Sequence, residues 1–305
     1  MAKRNFKTGK FLHIYQNTNN GFLLFYSASD FLVFFTIFCT MARKYQIQVL
    51  CLCLMADHIH ALVRARNKDV LAAFVQNYSS VFTRVMKSTG TAACFNHPFG
   101  SAPKSTEKSL RTALAYIYNN PVEKALVYRA EEYPWNFLAH MYSRHPFSEP
   151  LIVRRASYKM RKAIRNIDAT YSRGTYLRPA FLRQISENLS PDEKTQLSDY
   201  IVHRWSVIDY QSSLTLYKSK EDMLNAFSSN TGSEYEIRET HDSFSHRTYY
   251  KMNRIIRTDL HIQNIRVALG MSTEEKIEVA RKILLKTGAS IRQICKFLHL
   301  PAQDA

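Results

Sequence analysis

The sequence predicts an α+β fold: a ferredoxin-like antiparallel sheet covered by helices, followed by a mainly helical C-terminal region. Three observations predict it. Residues 10–65 read strand, helix, strand, strand. An amphipathic helix over residues 67–89 and another beginning at Glu107 follow, separated by a weakly patterned strand or loop over 91–104. From about residue 166 the pattern is mainly helical, with helix starts at Ser190-Pro-Asp-Glu193, Ser219-Lys-Glu-Asp222 and Ser272-Thr-Glu-Glu275. A chain of 305 residues has room for two domains, placed at 1–145 and 146–305.

The first strand contains His13-Ile-Tyr-Gln-Asn17. The apolar stretch from Phe31 to Met41 has Ser29-Asp30 before it and Arg43-Lys44 after it. It is too short to span a bilayer and reads as a buried helix capped at Ser29 or Asp30. No stretch reads as a secretory signal. Lys44-Tyr-Gln-Ile-Gln-Val49 then leads into an apolar run that holds His58-Ile59-His60. Side chains of an extended chain alternate faces, so His58 and His60 project together and Ile59 opposes them. Two adjacent imidazoles on a strand can hold one divalent metal ion. A half-buried polar stripe is the alternative.

Asn67 begins the next helix, whose apolar side carries Val70, Leu71, Phe74, Val75 and Tyr78. The helix from Glu107 to about Asn119 repeats Leu110, Leu114 and Ile117 at helical spacing. Tyr116 and Asn120 are four apart, so a continued helix presents a phenol and an amide on one face. Pro121 biases Asn120 away from helical geometry. Asn120-Pro121-Val122-Glu123 reads equally as a new helix start with Asn120 as its cap. Tyr118 is a rival tyrosine that points elsewhere round the helix.

Beyond residue 145, Val153-Arg-Arg-Ala-Ser-Tyr-Lys-Met-Arg-Lys162 is a basic run, suited to a linker or a DNA-contacting arm and equally to a plain solvated helix face. Near the end, Ser272 to Lys286, a stop near Gly288, and Ser290 to Leu298 resemble the first two helices of a helix-turn-helix. A third, groove-reading helix is not expected in the remaining residues, so this tail reads as a packing or remnant unit.

Lys and Arg total 42 against 25 Asp and Glu, a net charge of +17 that suits a polyanionic partner. Lys104, Arg154 and Arg155 are the cations singled out for nucleic-acid contact. Eighteen Tyr and eighteen Phe could offer stacking faces for unpaired bases, although any one ring is expected in the core first. The five cysteines, Cys39, Cys51, Cys53, Cys94 and Cys295, are odd in number and scattered. That argues against a disulfide framework and fits a reducing, cytoplasmic setting. A zinc site from Cys51, Cys53, His58 and His60 is disfavoured, because four ligands along one strand converge poorly on a tetrahedron.

Met55-Ala-Asp-His-Ile-His-Ala-Leu-Val63, Tyr116-Ile-Tyr-Asn-Asn-Pro-Val122 and Glu132-Tyr-Pro-Trp135 keep a characteristic order and spacing. Together with His13–Asn17 and Lys44–Val49, they resemble the single-tyrosine HUH transposases, in particular the REP-associated tyrosine transposases, over roughly residues 10–140. The resemblance implies the HUH endonuclease fold and a transposase that nicks and rejoins single-stranded, hairpin-bearing DNA through a 5′-phosphotyrosine. It implies Tyr116 as nucleophile, Mg2+ or Mn2+ as cofactor, His58 and His60 as metal ligands, and Asn120 as a third, amide ligand. No membrane partner is expected. The chemistry is coherent: a cation offsets the phosphodiester's charge, and tyrosine, with an ordinary pKa of about 10, becomes useful once activated and placed in line. No phosphate-cradling glycine loop is present.

Two departures from the family pattern stand out. Ala56-Asp57 replaces the usual Pro-Asn before the first histidine, and the stretch before the tyrosine helix reads Asn96-His-Pro-Phe-Gly-Ser-Ala-Pro-Lys104. The alternatives are a non-catalytic DNA-binding regulator on the same fold, and a replication or mobilisation initiator with the same chemistry. The intact set of His58, His60, Tyr116 and Asn120 favours the enzyme.

Overall fold

Alternation along β3 (His58–Arg64) divides its side chains between two cores. Ile59, Ala61 and Val63 join Phe34, Phe38, Phe74 and Tyr78 in one apolar cluster. Leu62 joins Leu50, Cys51, Cys53, Leu114, Ile117 and Tyr118 in another. The computed structural model describes residues 5–18, 21–89, 95, 99–229 and 246–301. Its first elements are β1 (Phe11–Asn17), α1 (Ala28–Lys44), β2 (Gln48–Leu54), β3, α2 (Lys68–Lys87), β4 (Gly100–Lys104) and α3 (Glu107–Glu123). The strands form one sheet in the order β2-β3-β1-β4, every neighbouring pair antiparallel. This is the ferredoxin-like order that the sequence predicts. Helices α1 and α2 cover one face, and α3 covers the other.

Local chemistry explains the element ends, with two corrections. The cap of α1 is Ser27, not Ser29 or Asp30: its Oγ accepts the Asp30 N–H. Asp30 lies in the first turn, where its carboxylate accepts the Tyr26 N–H at 3.0 Å and pairs with Arg266. A carboxylate is favoured there by the unsatisfied amides of the helix start. The cap of α2 is Asn67, as expected, accepting the Val70 N–H at 2.9 Å.

The second correction concerns Asn120. Helix α3 starts in a reciprocal Thr106–Ser109 cap and runs through Pro121 to Glu123. Proline forfeits one backbone bond, but the Asn120 and Pro121 carbonyls still accept the amides of Lys124 and Leu126. Asn120 is therefore a helical residue one turn beyond Tyr116, not the cap of a new helix. In the segment ahead of α3, β4 is a strand, whereas Cys94 and Asn96-His97-Pro98 lie outside the described residues.

The later helices are α4 (Tyr158–Ser172), α5 (Pro179–Ser186), α6 (Pro191–Trp205), α7 (Tyr210–Leu214), α8 (Lys220–Ser228), α9 (His246–Thr258), α10 (Ile265–Leu269), α11 (Thr273–Thr287) and α12 (Ile291–Leu298). Ser190, Ser219 and Ser272 cap α6, α8 and α11 as the sequence predicts. Residue 145 does not separate cores: Met160, Leu197 and Trp205 share the cluster of α1. Helices α9 to α12 form a third cluster that also takes in Leu23, Tyr26 and Ala56. Among the described residues no helix is long and apolar enough to cross a membrane.

The end of α12 yields a pH prediction. His299 closes α12 in the left-handed region, at φ 57°. Its ring stacks on Phe22 at 4.6 Å, and Nε2 lies 3.2 Å from the Leu23 carbonyl. Burial, opposed by that carbonyl, holds its pKa down at about 4. A histidine depressed on folding contributes stability that is complete above the unfolded value of about 6.5 and is lost as pH falls toward the folded value. Thermal stability is therefore expected to fall between pH 6.5 and 4, with His299 contributing on the order of 3 kcal/mol. The fall should be shallower in His299→Phe. Equal slopes of melting temperature against pH in the two proteins would refute this.

Candidate active site

Helix α3 lies across the sheet face that carries His58, His60 and, from the neighbouring strand, His13. His58 Nε2 stands 3.3 Å from Asn120 Oδ1. The ring centroids of His58 and His60 are 5.1 Å apart, and those of His60 and Tyr116 are 5.4 Å apart. Two imidazoles of β3 and a phenol and amide of α3 thus meet in one place. Tyr116 is buried, at 4 % exposure, as are Asn120 and His60.

Both β3 histidines are held through Nδ1. His60 Nδ1 is 3.0 Å from His13 Nε2, and the His13 ring also packs edge-on against Tyr116. The His58 Nδ1–H donates to Asp57 Oδ1 at 2.7 Å. The other Asp57 oxygen, Oδ2, accepts from Lys296 Nζ of α12 at 3.2 Å. Burial pushes the Asp57 carboxyl up, but the adjacent His58 ring and Lys296 ammonium outweigh this and hold it well below the usual carboxylate range. Asp57 is therefore ionised at neutral pH and accepts from both neighbours. In the sequence, Asp57 stands out only as a departure from the family pattern and His13 only as part of a strand, and Lys296 carries no distinguishing signal.

Tyr118 points into the core between α3, β2 and α8. Its ring packs on Phe227 at 5.4 Å, and burial, aided by Cys51 and Tyr210, pushes its phenol well above the ordinary value. The Glu132-Tyr-Pro-Trp135 segment is structural. Tyr133 Oη donates to the Leu54 carbonyl at the end of β2, and Trp135 stacks on Phe31 at 4.6 Å. Gly100 faces Tyr15 across β1 and β4; a Cβ there would lie 2.0 Å from Tyr15 Cζ, so only glycine seats that ring.

No group of three or more His, Cys, Asp or Glu among the described residues could hold a metal ion, so the Cys–His zinc set does not assemble. Cys53 Sγ instead lies 3.8 Å from Met55 Sδ. What the site offers a cation is two imidazole nitrogens and an amide oxygen.

The three cations singled out from sequence do not gather in one place. Lys104 is buried at the end of β4, opposite Phe11 on the α3 face of the sheet. Arg154 and Arg155 are exposed on a short turn before α4. That helix packs with α5 and α6, which lie against α1 on the other side of the sheet.

Part of the chain is similar to known proteins. Residues 26–120 match the IS200-like transposase family. The IS200-like segment contains His58, His60, Tyr116 and Asn120, the four residues brought together here. It leaves out His13 and Lys296. Among solved structures, this chain is similar to a REP-associated tyrosine transposase bound to a REP hairpin. The two share 16% identity, with a TM-score of 0.41, over 46% of this chain and 83% of that one. No curated protein matches the chain.

Proposed function

We propose that this protein is a metal-dependent single-stranded DNA transposase that cuts and rejoins DNA through a 5′-phosphotyrosine on Tyr116. The observation that carries the proposal is the meeting of His58 and His60 on β3 with Tyr116 and Asn120 on α3, within the IS200-like segment. The donor set suits a divalent cation. With Nδ1 of each ring engaged by Asp57 or His13, Nε2 is the nitrogen each would offer, and Asn120 Oδ1 already faces that of His58. Such outer partners fix the tautomer and orientation of ligating histidines. Mg2+ or Mn2+ held there supplies charge neutralisation and orientation of the scissile phosphate.

The chain's own groups do the rest. The Tyr116 oxygen attacks phosphorus; the Oη–P bond forms as the P–O3′ bond breaks. The displaced 3′-oxygen leaves as a hydroxyl, its proton balanced by the one tyrosine loses. The covalent bond conserves the phosphodiester's energy, so a DNA 3′-OH can reverse the step without ATP. With Tyr116 only 4 % exposed, the phosphate reaches it only after the covering side chains move.

The test uses labelled oligonucleotides and Mn2+. Hairpin-bearing single strands should give a covalent protein–DNA adduct on a denaturing gel, and fully paired duplex should not. Binding to the hairpin should weaken steeply with salt as phosphate contacts release counterions. Tighter binding to duplex at every salt concentration would reject the substrate assignment. DNA binding without an adduct, under any metal condition, would favour a non-catalytic regulator.

A further inference from the structure

We infer that helix α12 completes the metal site, with Lys296 as a positioning residue that acts through Asp57 on His58. The inference rests on the reading of His58 and His60 as metal ligands. Asp57 uses both carboxylate oxygens: Oδ1 accepts from His58 at 2.7 Å and Oδ2 from Lys296 at 3.2 Å. A carboxylate held at one oxygen turns about its Cβ–Cγ bond, whereas one held at both presents a fixed acceptor to the imidazole. A fixed acceptor sets the ring's tautomer and the direction of Nε2, which governs metal affinity.

The surroundings are shaped to this pair. The side chains of Lys296 and Asp57 are 15% and 25% exposed, so neither is a freely solvated surface group. Gly21 adopts φ +68° beside Lys296, and a Cβ there would lie 3.3 Å from Lys296 Cε. The Lys296 carbonyl accepts the Leu23 N–H, and Tyr26 Oη donates to the Phe297 carbonyl at 2.9 Å. Ala56, next to Asp57 in the chain, shares an apolar cluster with Phe297 and accepts the Leu24 and Phe25 amides. Helix α12 is thus fixed relative to the turn that carries Asp57, although 239 positions separate the two residues. An exposed lysine–aspartate pair would contribute little to stability; here the consequence falls on the orientation of a ligand.

The experiment measures Mn2+ dissociation constants of the full-length chain by electron paramagnetic resonance, alongside melting temperatures. Lys296→Met should raise the Kd about tenfold or more, the range for outer-shell partners, and Lys296→Arg should recover most of the loss. In an Asp57→Asn background, Lys296→Met should have no further effect, because residues acting through one another are non-additive. Lys286→Met removes another lysine–aspartate pair of the C-terminal helices, the one with Asp259, and leaves Lys296 in place, so its Kd should match wild type. The inference is overturned if Lys296→Met binds Mn2+ like wild type, if its loss persists unchanged in Asp57→Asn, or if Lys286→Met loses as much. A wild-type chain that does not bind Mn2+ overturns the metal reading itself, and this inference with it.

Discussion

Tyr116→Phe is expected to reduce DNA cleavage below detection while leaving DNA binding and the fold nearly unchanged. The substitution removes one oxygen, and the ring keeps its edge contacts with His13 and His60. A hydroxyl deletion of this kind costs on the order of 1 kcal/mol, far too little to unfold a domain. Water would have to replace the phenol, and nothing positions it in line. Tyr118→Phe is the internal control. Its hydroxyl is buried without a hydrogen-bond partner among the described residues, so removing it should leave activity intact and hold or raise the melting temperature. Peptide mapping of the trapped adduct separates the two tyrosines. An adduct on Tyr118, or undiminished cleavage by Tyr116→Phe, would overturn the assignment.

Replacing both His58 and His60 with alanine should abolish Mn2+ binding and cleavage together. The two positions differ in structural cost, which alternation along the strand alone does not reveal. His60 is wholly buried and bonded to His13, whereas the His58 side chain is 11% exposed. His60→Ala leaves the His13 ring without that buried partner, at a cost of about 1–3 kcal/mol. His58→Ala should be cheaper. Asn120→Ala should weaken Mn2+ binding less than either histidine change, since both imidazoles remain. Calorimetric titration with Mn2+ and thermal melts separate these effects. An unchanged Mn2+ affinity in the double variant would remove the metal assignment, and Asn120→Ala that lowers stability without changing Mn2+ affinity would remove Asn120 from it.

Features governed by near neighbours were legible in the chain. Alternation along β3 put His58 and His60 on one face, because pleating is local. The serine caps at 190, 219 and 272 read correctly, because a cap bonds an amide only a few residues away. The spacing of Tyr116 and Asn120 was also legible, but whether they share a helical face was not. Pro121 opposed helix continuation locally, and the helix continues because packing outweighs one lost backbone bond. Asn119 Nδ2, for example, donates to the Phe227 carbonyl of α8, 108 positions away. The cap of α1 escapes a local reading for a related reason, since Ser27, Ser29 and Asp30 all have capping chemistry and only the built backbone selects among them.

By itself, then, the sequence determined the ferredoxin-like order of elements, the face of the histidine pair and the pairing of that strand with a tyrosine helix. Only the tertiary structure decided what orients those groups. His13 reaches His60 from the neighbouring strand of the sheet, and Lys296 reaches Asp57 from the far end of the chain. Neither contact leaves a periodic trace, because each joins residues whose separation in sequence is set by the path of the chain and not by the geometry of one element. The residues that present chemistry lie on regular elements and announce themselves by spacing. Those that aim them become visible only when distant elements pack.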